Sequence, residues 1–484
     1  MNRSKSNLPI LILTLLLAAP NATWANGFEI PEQGARSLAR SGAFSARADD
    51  PSAAAHNPAG LAKLRGTQLM LTYNALWNHT QFTRGESALE PGIGTEEFPA
   101  HQSRFDSVEN QTPFFPLAAS FFASSDFGLE NMAFGLSIYG PNSSGHVTFP
   151  DDGGSRYLLT ELDVLLVYYG TSVAYKGDNW GIGGTLQWVQ LPLLQFTLAV
   201  DGSVLPGGLN PYASSFDVLA TIDIKDNFAL SGVLGAWYRP IPAFEIAVSG
   251  RPLPIELNAT GDSIIETIEG TVPGSLPDGL EVENSGAGMR LELPATARLG
   301  MRYIHLDGER EIFDLELDIL YETWSVLDAY DVSLDGTVEL LGQTTELEDV
   351  LVAKDWNDTI SVRLGGTWNL DERLSISAGG FWESAAAPKA NAHLDFPSAN
   401  RGGGGGGVTY TLGDKDGVQV DLSLVYHYTV QQDIKVSDSE GRVYQQRPLK
   451  PCPENCDGSP GVVANAGEFS TSFQQLGIAV NARF

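Results

Sequence analysis

Cysteine is nearly missing from this chain of 484 residues. Cys452 and Cys456 are the only two, which excludes a scaffold built on disulfides. Cations are scarce as well. Lysine and arginine number 29 against 59 aspartates and glutamates, and the net charge of −30 repels phosphate backbones, so nucleic acid is excluded as a partner of the bulk surface. Beyond residue 19 no apolar run approaches the roughly 20 residues that a membrane-spanning helix needs. The seven histidines show no His-Glu-x-x-His spacing. Residues 401–407 (RGGGGGG) lack the Gly-Lys-Ser/Thr ending of a phosphate loop and read as a flexible entry to a strand. These patterns lead to no expected metal, cofactor or catalytic residue, and a barrel enzyme acting on lipid would need a nucleophile and base that are not evident.

What is present begins with an export signal. Arg3 and Lys5 form a basic start, residues 8–19 an apolar run, and Thr23-Trp24-Ala25 a small-residue cleavage site, so residues 1–25 read as a removable leader. Export makes a small disulfide between Cys452 and Cys456 the expected state of that pair, rather than a metal site.

From residue 67 the chain alternates apolar with polar or small residues, the period of a strand with two different faces. In VQVDLSLVYHYTV, Val418, Val420, Leu422, Leu424, Tyr426, Tyr428 and Val430 oppose Gln419, Asp421, Ser423, His427 and Thr429. Fourteen such segments are expected: 67–82, 113–124, 131–141, 159–176, 179–195, 227–239, 243–257, 289–305, 311–327, 358–370, 373–386, 402–413, 417–436 and 470–484. Tight connections (KGDN, RPIPA, LDGERE, NLDER, GDKD) alternate with long ones, as in a transmembrane barrel with short periplasmic turns and long outer loops. Trp77, Trp180, Trp188, Trp237, Trp368 and Trp382 fall near segment ends, as interfacial girdles do, and the chain ends on an apolar face closed by Phe484. The expected fold is all-β, a 14-stranded antiparallel transmembrane barrel over residues 67–484, in the outer membrane of a Gram-negative cell. Nothing in it demands a trimer, so a monomer is expected, in contact with outer-membrane lipid and lipopolysaccharide.

Residues 26–66 precede the first strand and are rich in Gly, Ala and Ser. A barrel of this size encloses a lumen too wide for its own side chains to fill, and a compact small-residue segment suits its interior as a plug or hatch. Arg298 and Arg302 share the lumenal face with Asp314, Glu316 and Asp318, and the surplus of acids leaves partners for Arg36, Arg40 or Arg47 of the plug.

At this point the chain resembles the FadL family of outer-membrane transporters for long-chain fatty acids and other hydrophobic compounds. The resemblance rests on Gly27-Phe28, on Ala48-Asp49-Asp50, on Asn57-Pro58-Ala59, and on SVAYKGDNWGIGGTLQWV, LPATARLGMRY, DLELDILYETWS and DWNDTISVRLGGTWNLDERLSISAGGFWESAAAP. It implies a plugged 14-stranded barrel that takes up hydrophobic molecules passively. Capture would occur in outer loops and a lumenal pocket, a hatch shift would open a path, and release would be sideways at a kinked early strand. The alternative function is a general diffusion porin.

Four groups fit those roles. Val189, Leu191 and Leu193 put an apolar patch on an otherwise polar lumenal face, where a hydrocarbon would bind by burial. Gly140-Pro141-Asn142 interrupts the third segment and is the expected lateral window, since proline removes a ladder donor and glycine permits a bend. Phe28 and Ile30 are implied by the resemblance to meet the ligand pocket. Asn57-Pro58 is expected to hold a turn of the hatch through a side-chain hydrogen bond. No cationic pair for a fatty carboxylate is evident; Lys354 and Arg363 qualify by proximity alone, so a neutral ligand stays open.

Overall fold

The computed structural model describes residues 33–85, 105–116, 119–141, 145–200, 217–267, 281–340, 343–346, 349–413, 417–446 and 463–484. The leader, Phe28, Ile30, Asn142, Cys452 and Cys456 lie outside the described residues. No helix among the described residues is long and apolar enough to cross a membrane; strands do so instead.

Fourteen antiparallel strands close into a barrel. They are β1 (Thr67–Arg84), β2 in three pieces (Val108–Glu109, Phe114–Pro116, Ser120–Ser125), β3 in two (Met132–Tyr139, His146–Thr148), β4 (Glu161–Lys176), β5 (Trp180–Val200) and β6 (Val218–Ile241). Next come β7 (Phe244–Gly250, Ile255–Thr267), β8 (Glu281–Leu293, Thr296–Asp307) and β9 (Arg310–Glu322, Ala329–Leu340). The set ends with β10 (Gln343–Glu346, Val350–Ala353, Thr359–Asn369), β11 (Leu374–Glu383), β12 (Arg401–Leu412), β13 (Gln419–Gln431, Ile434–Val436) and β14 (Gly467–Arg483). The seam runs from Gln68 beside Arg483 to Arg84 beside Gly467, so no sheet edge is left for lipid.

Burial is inverted relative to a water-soluble protein. On β13 the apolar Leu422, Leu424, Tyr426, Tyr428 and Val430 are exposed, whereas Ser423, His427 and Thr429 are buried toward the lumen. Trp180, Trp188, Trp368 and Trp382 stand on the exposed outer face. Trp237 departs from the expected girdle. Its neighbours Leu234 and Tyr238 are exposed, and strand parity turns its ring into the lumen, where Nε1 donates to the Ala59 carbonyl at 3.0 Å.

Several strands extend beyond the expected spans. Residues 258–267 and 281–288 form ladder where long loops were expected. There apolar residues occupy both faces, Ile264 outward and Ile265 against an interior cavity, so pairing continues after the alternation has faded. Residues 401–407 are likewise a fully paired part of β12, between β11 and β13, rather than a flexible entry.

Inside the cylinder lie α1 (Ala35–Ala39), α2 (Ala53–His56) and a 3₁₀ turn (Pro58–Lys63), almost all buried. These elements are too short to hold themselves in water, and the wall supports them.

Candidate functional site

The plug is fixed by charge and by close backbone approach. Arg40 is fully buried; its guanidinium reaches Asp314 Oδ1 and Oδ2 at 2.9 Å, Glu316 Oε2 at 2.9 Å and Thr367 Oγ1 at 2.8 Å. Arg47 donates to Asp314 and Glu311, both at 2.8 Å, and Arg302 of the wall approaches the same two acids at 2.8 and 2.7 Å. Glu316 also accepts from Ala46 N at 2.6 Å, and Asp318 from Ser45 N at 3.0 Å. The acids thus serve plug backbone as well as plug arginines. Arg36 differs from expectation: it pairs with Asp49 at 3.0 Å, inside the plug, while Asp314 and Glu316 of β9 are taken by Arg40, Arg47 and Arg302. Arg298 faces the lumen beside His56, lining a small cavity of about 60 Å³ with Gln33, Pro141, Tyr168 and Glu322.

Asn57 closes its turn as its position implies. Oδ1 accepts from Ala59 N at 3.2 Å while Nδ2 donates to Ser45 O at 2.8 Å and Ala236 O at 3.3 Å. The wall must be thin there. A Cβ on Gly235 would stand 2.0 Å from Asn57 Oδ1, and one on Gly379 would stand 2.3 Å from the Arg40 carbonyl. His427 is satisfied within this packing, its Nε2 lying 3.1 Å from Ser41 Oγ.

The interruption of β3 is a break in the wall. Tyr139 pairs with Tyr168 and His146 with Asp163, so seven steps along β3 answer to five along β4. On its other side β3 pairs with β2 from Phe134 to Ile138, and the next backbone link among the described residues is Gln111 N to Thr148 O at 2.8 Å. The Gly140 carbonyl accepts from Gln33 Nε2 of the plug at 2.8 Å. Phe115 of β2 packs into the break: a Cβ on Gly145 would meet its ring at 2.9 Å. Tyr139, whose hydroxyl accepts from Gln187 Nε2 at 2.5 Å, stacks between Phe122 and Tyr168 on the lumenal side.

Above the plug lies an apolar cavity of about 170 Å³, lined by residues including Leu194, Phe196, Ile222, Met289, Leu291, Val332, Val352 and Phe396. Its polar members are Thr221, Ser263, Gln446, Tyr330 and Asp395. Asp395 accepts from Lys354 Nζ at 2.7 Å and lies 2.9 Å from His393 Nδ1, and the Tyr330 hydroxyl hydrogen-bonds it. The Lys354 ammonium stands 4.3 Å from the Tyr330 ring centre. Burial would raise the Asp395 carboxyl, but Lys354 and His393 outweigh it and hold the group below its ordinary range. Burial, reinforced by Lys354, pushes the His393 imidazole down and keeps it neutral. Burial pulls the Lys354 ammonium down and its ion pair with Asp395 opposes this, so the lysine is tied to that carboxylate; no lysine or arginine lines the cavity among the described residues. Arg363, the other suggested cation, is spent on Glu383 at 2.8 Å. A wider hollow of about 1020 Å³ lies on the outer face among exposed Leu136, Leu186, Leu230 and Leu234 and is separate from this cavity.

The sequence of residues 16–455 matches the family model of outer membrane protein transport proteins (OMPP1/FadL/TodX). The chain belongs to this family. Among solved structures, a Pseudomonas aeruginosa FadL homologue superposes with a TM-score of 0.69 at 17% identity, covering 95% of this chain and 100% of its own. The Ralstonia pickettii toluene transporter TbuX gives 0.61 at 14% identity, over 94% and 99% of the two chains. The Pseudomonas putida toluene transporter TodX gives 0.60 at 14% identity, with the same coverage. These three likenesses establish the fold. A comparison with curated proteins found no match. As an OMPP1/FadL/TodX member the protein is an outer-membrane transporter and not an enzyme.

Within this family member the expected apolar patch is only partly placed as anticipated. Val189 and Leu191 are buried, but Leu193 is not. A bulge between Gln190 and Leu193 gives β5 one residue more than β4 (three steps against two, Val167 to Leu165) and reverses its parity, so Leu194, Phe196, Leu198 and Val200 point inward in its place. Asp395, His393 and Tyr330 were missed, because two sit in a loop and all three act as a network that no local motif marks. Gln33 and Phe115 were missed too. No local signal marked either, since Gln33 lies 107 positions from Gly140 in the chain.

Proposed function

We propose that the protein admits neutral hydrophobic small molecules of about the size of one aromatic ring. The observation that carries this reading is the apolar cavity whose nearest buried cation, Lys354, is already cancelled by Asp395. A cavity of ~150 Å³ lined by aliphatic and aromatic residues takes up benzene, and this one is of similar size and lining. Burial supplies roughly 25 cal/mol per Å² of apolar surface, whereas a carboxylate would lose its water without finding a free positive partner. The toluene transporters among the structural relatives carry ligands of the same class.

The route follows from what lies below. A single apolar cluster links the cavity lining (Leu194, Leu291, Val332) through Leu191, Val189 and Leu166 to Tyr168 and Tyr139 at the break in β3. Displacement of the plug end that carries Gln33, with withdrawal of Phe115, opens the gap between β2 and β3 and releases the ligand sideways into the membrane. The porin alternative gains no support, since the plug fills the lumen with buried side chains rather than leaving a charged constriction.

The test is calorimetric titration of the detergent-purified protein with ethylbenzene and with a long-chain fatty acid. Saturable binding of ethylbenzene and at least tenfold weaker binding of the acid is expected. Preference for the fatty acid would overturn the reading.

A further inference from the structure

We propose that His146, Glu161 and Asp163 form a binding site for one divalent transition-metal ion, of the zinc type, on the outer rim of the barrel beside the break in β3. The three side chains offer one imidazole nitrogen and two carboxylate oxygens, all within 4.8 Å of one another. They arise from directly paired strands: His146 lies opposite Asp163, and Thr148 opposite Glu161. Val147 and Leu162, the residues between them, are buried, so strand alternation sends the three donors to the opposite, outward face. The backbone positions are therefore set by the ladder and not by a loop.

The surroundings favour a cation. Glu161 and Asp163 are same-face neighbours whose charges repel, and Asp151 adds its negative charge close to Glu161. The imidazole already stands 2.5 Å from Asp163, with side chains 29% and 26% exposed, so the group is reachable from water. Tyr169, stacked on Trp188, marks the aromatic belt six positions further down β4, about 20 Å along the strand. The cluster thus stands clear of the apolar band. Nitrogen together with carboxylate oxygen suits zinc better than calcium or magnesium, which prefer oxygen alone, and three protein ligands leave a place for water.

The site has a mechanical consequence. The upper piece of β3, His146–Thr148, is three residues long and stands between the break and an outer loop. A metal shared with β4 ties that short piece to its neighbour and fixes the upper lip of the opening. Binding itself does not depend on the transport reading.

The experiment uses the full mature protein, purified without a histidine tag, stripped with chelator and titrated with Zn²⁺ alone by calorimetry. One saturable site is expected, weakened at least tenfold in His146→Gln and lost in the Glu161→Gln/Asp163→Asn double variant. Gel mobility before and after heating shows whether each variant remains a folded barrel. No saturable binding, or binding untouched by variants that remain folded, overturns the site. Zinc should also slow amide exchange at residues 145–148 in the wild type but not in the double variant. Stoichiometric binding without that protection would keep the site and overturn its role at the lip.

Discussion

Gln33 of the plug donates to the Gly140 carbonyl of the wall at 2.8 Å, at the residue where β3 stops pairing as a regular strand. The break frees a carbonyl that a continuous ladder would have used, and the plug supplies its donor. In the proposed release route this bond is the link between plug position and wall opening. Gln33→Ala should remove about 1 kcal/mol from that contact and speed amide exchange of residues 33–36 several-fold. Unchanged exchange would show that the contact holds nothing.

Straightening the break tests the exit. Because β3 carries two more residues than β4 across it, deleting Pro141 and Asn142 should allow continuous pairing. Uptake of ethylbenzene into cells should fall to the level of cells lacking the protein, while the purified barrel keeps its heat-modifiable gel mobility. Undiminished uptake would place the exit elsewhere.

Asp395→Asn leaves the buried Lys354 ammonium without its carboxylate partner. A ligand carboxylate then has a cation to meet, and affinity for a long-chain fatty acid should rise at least ~10-fold, equivalent to about 1.4 kcal/mol. Competition binding measures this directly, and an unaltered preference would mean that Lys354 does not govern it.

Arg40→Met removes a plug guanidinium that bonds both Asp314 and Glu316. Breaking a buried ion pair from one side costs about 3–5 kcal/mol. The plug should loosen, and planar-bilayer recordings should show stepwise ion currents that the wild type lacks. A silent Arg40→Met barrel would argue that backbone packing alone retains the plug.

Acid should act through His56. Burial, aided by Arg298 and opposed by the bond to the Gln33 carbonyl, pushes this imidazole from its ordinary 6.5 down to about 3. Between those values the docked plug binds fewer protons than the released one, so docking weakens as pH falls from 6.5 toward 3, by an amount on the order of a few kcal/mol. His56→Asn should flatten the part of the pH dependence of unfolding in urea that arises in this window. An identical profile in wild type and variant would assign the acid response to other groups.

The strands of the barrel were legible because lipid and lumen impose opposite demands on alternate residues. That rule placed Asp314, Glu316 and Asp318 on the inner face and left partners for Arg36, Arg40 or Arg47, of which Arg40 and Arg47 reach Asp314. It could not register an inserted residue. The single extra residue in β5 leaves composition unchanged yet exchanges the two faces, so Leu193 was assigned inward where Leu194 belongs. Arg36 was misassigned for a related reason: a five-residue helix has too little periodicity to show which way its arginine points. Asp395 and Lys354, 41 positions apart, meet only through the way the outer segments fold over the lumen.

The glycines that face the plug have a consequence for how such chains diverge. Gly235 and Gly379 record, in the wall, the shape of the segment they enclose. A larger residue at either position is tolerable only when Asn57 or Arg40 shifts at the same time. Lipid-facing positions are free to drift singly, so the imprint between cork and cylinder must be inherited as a matched pair.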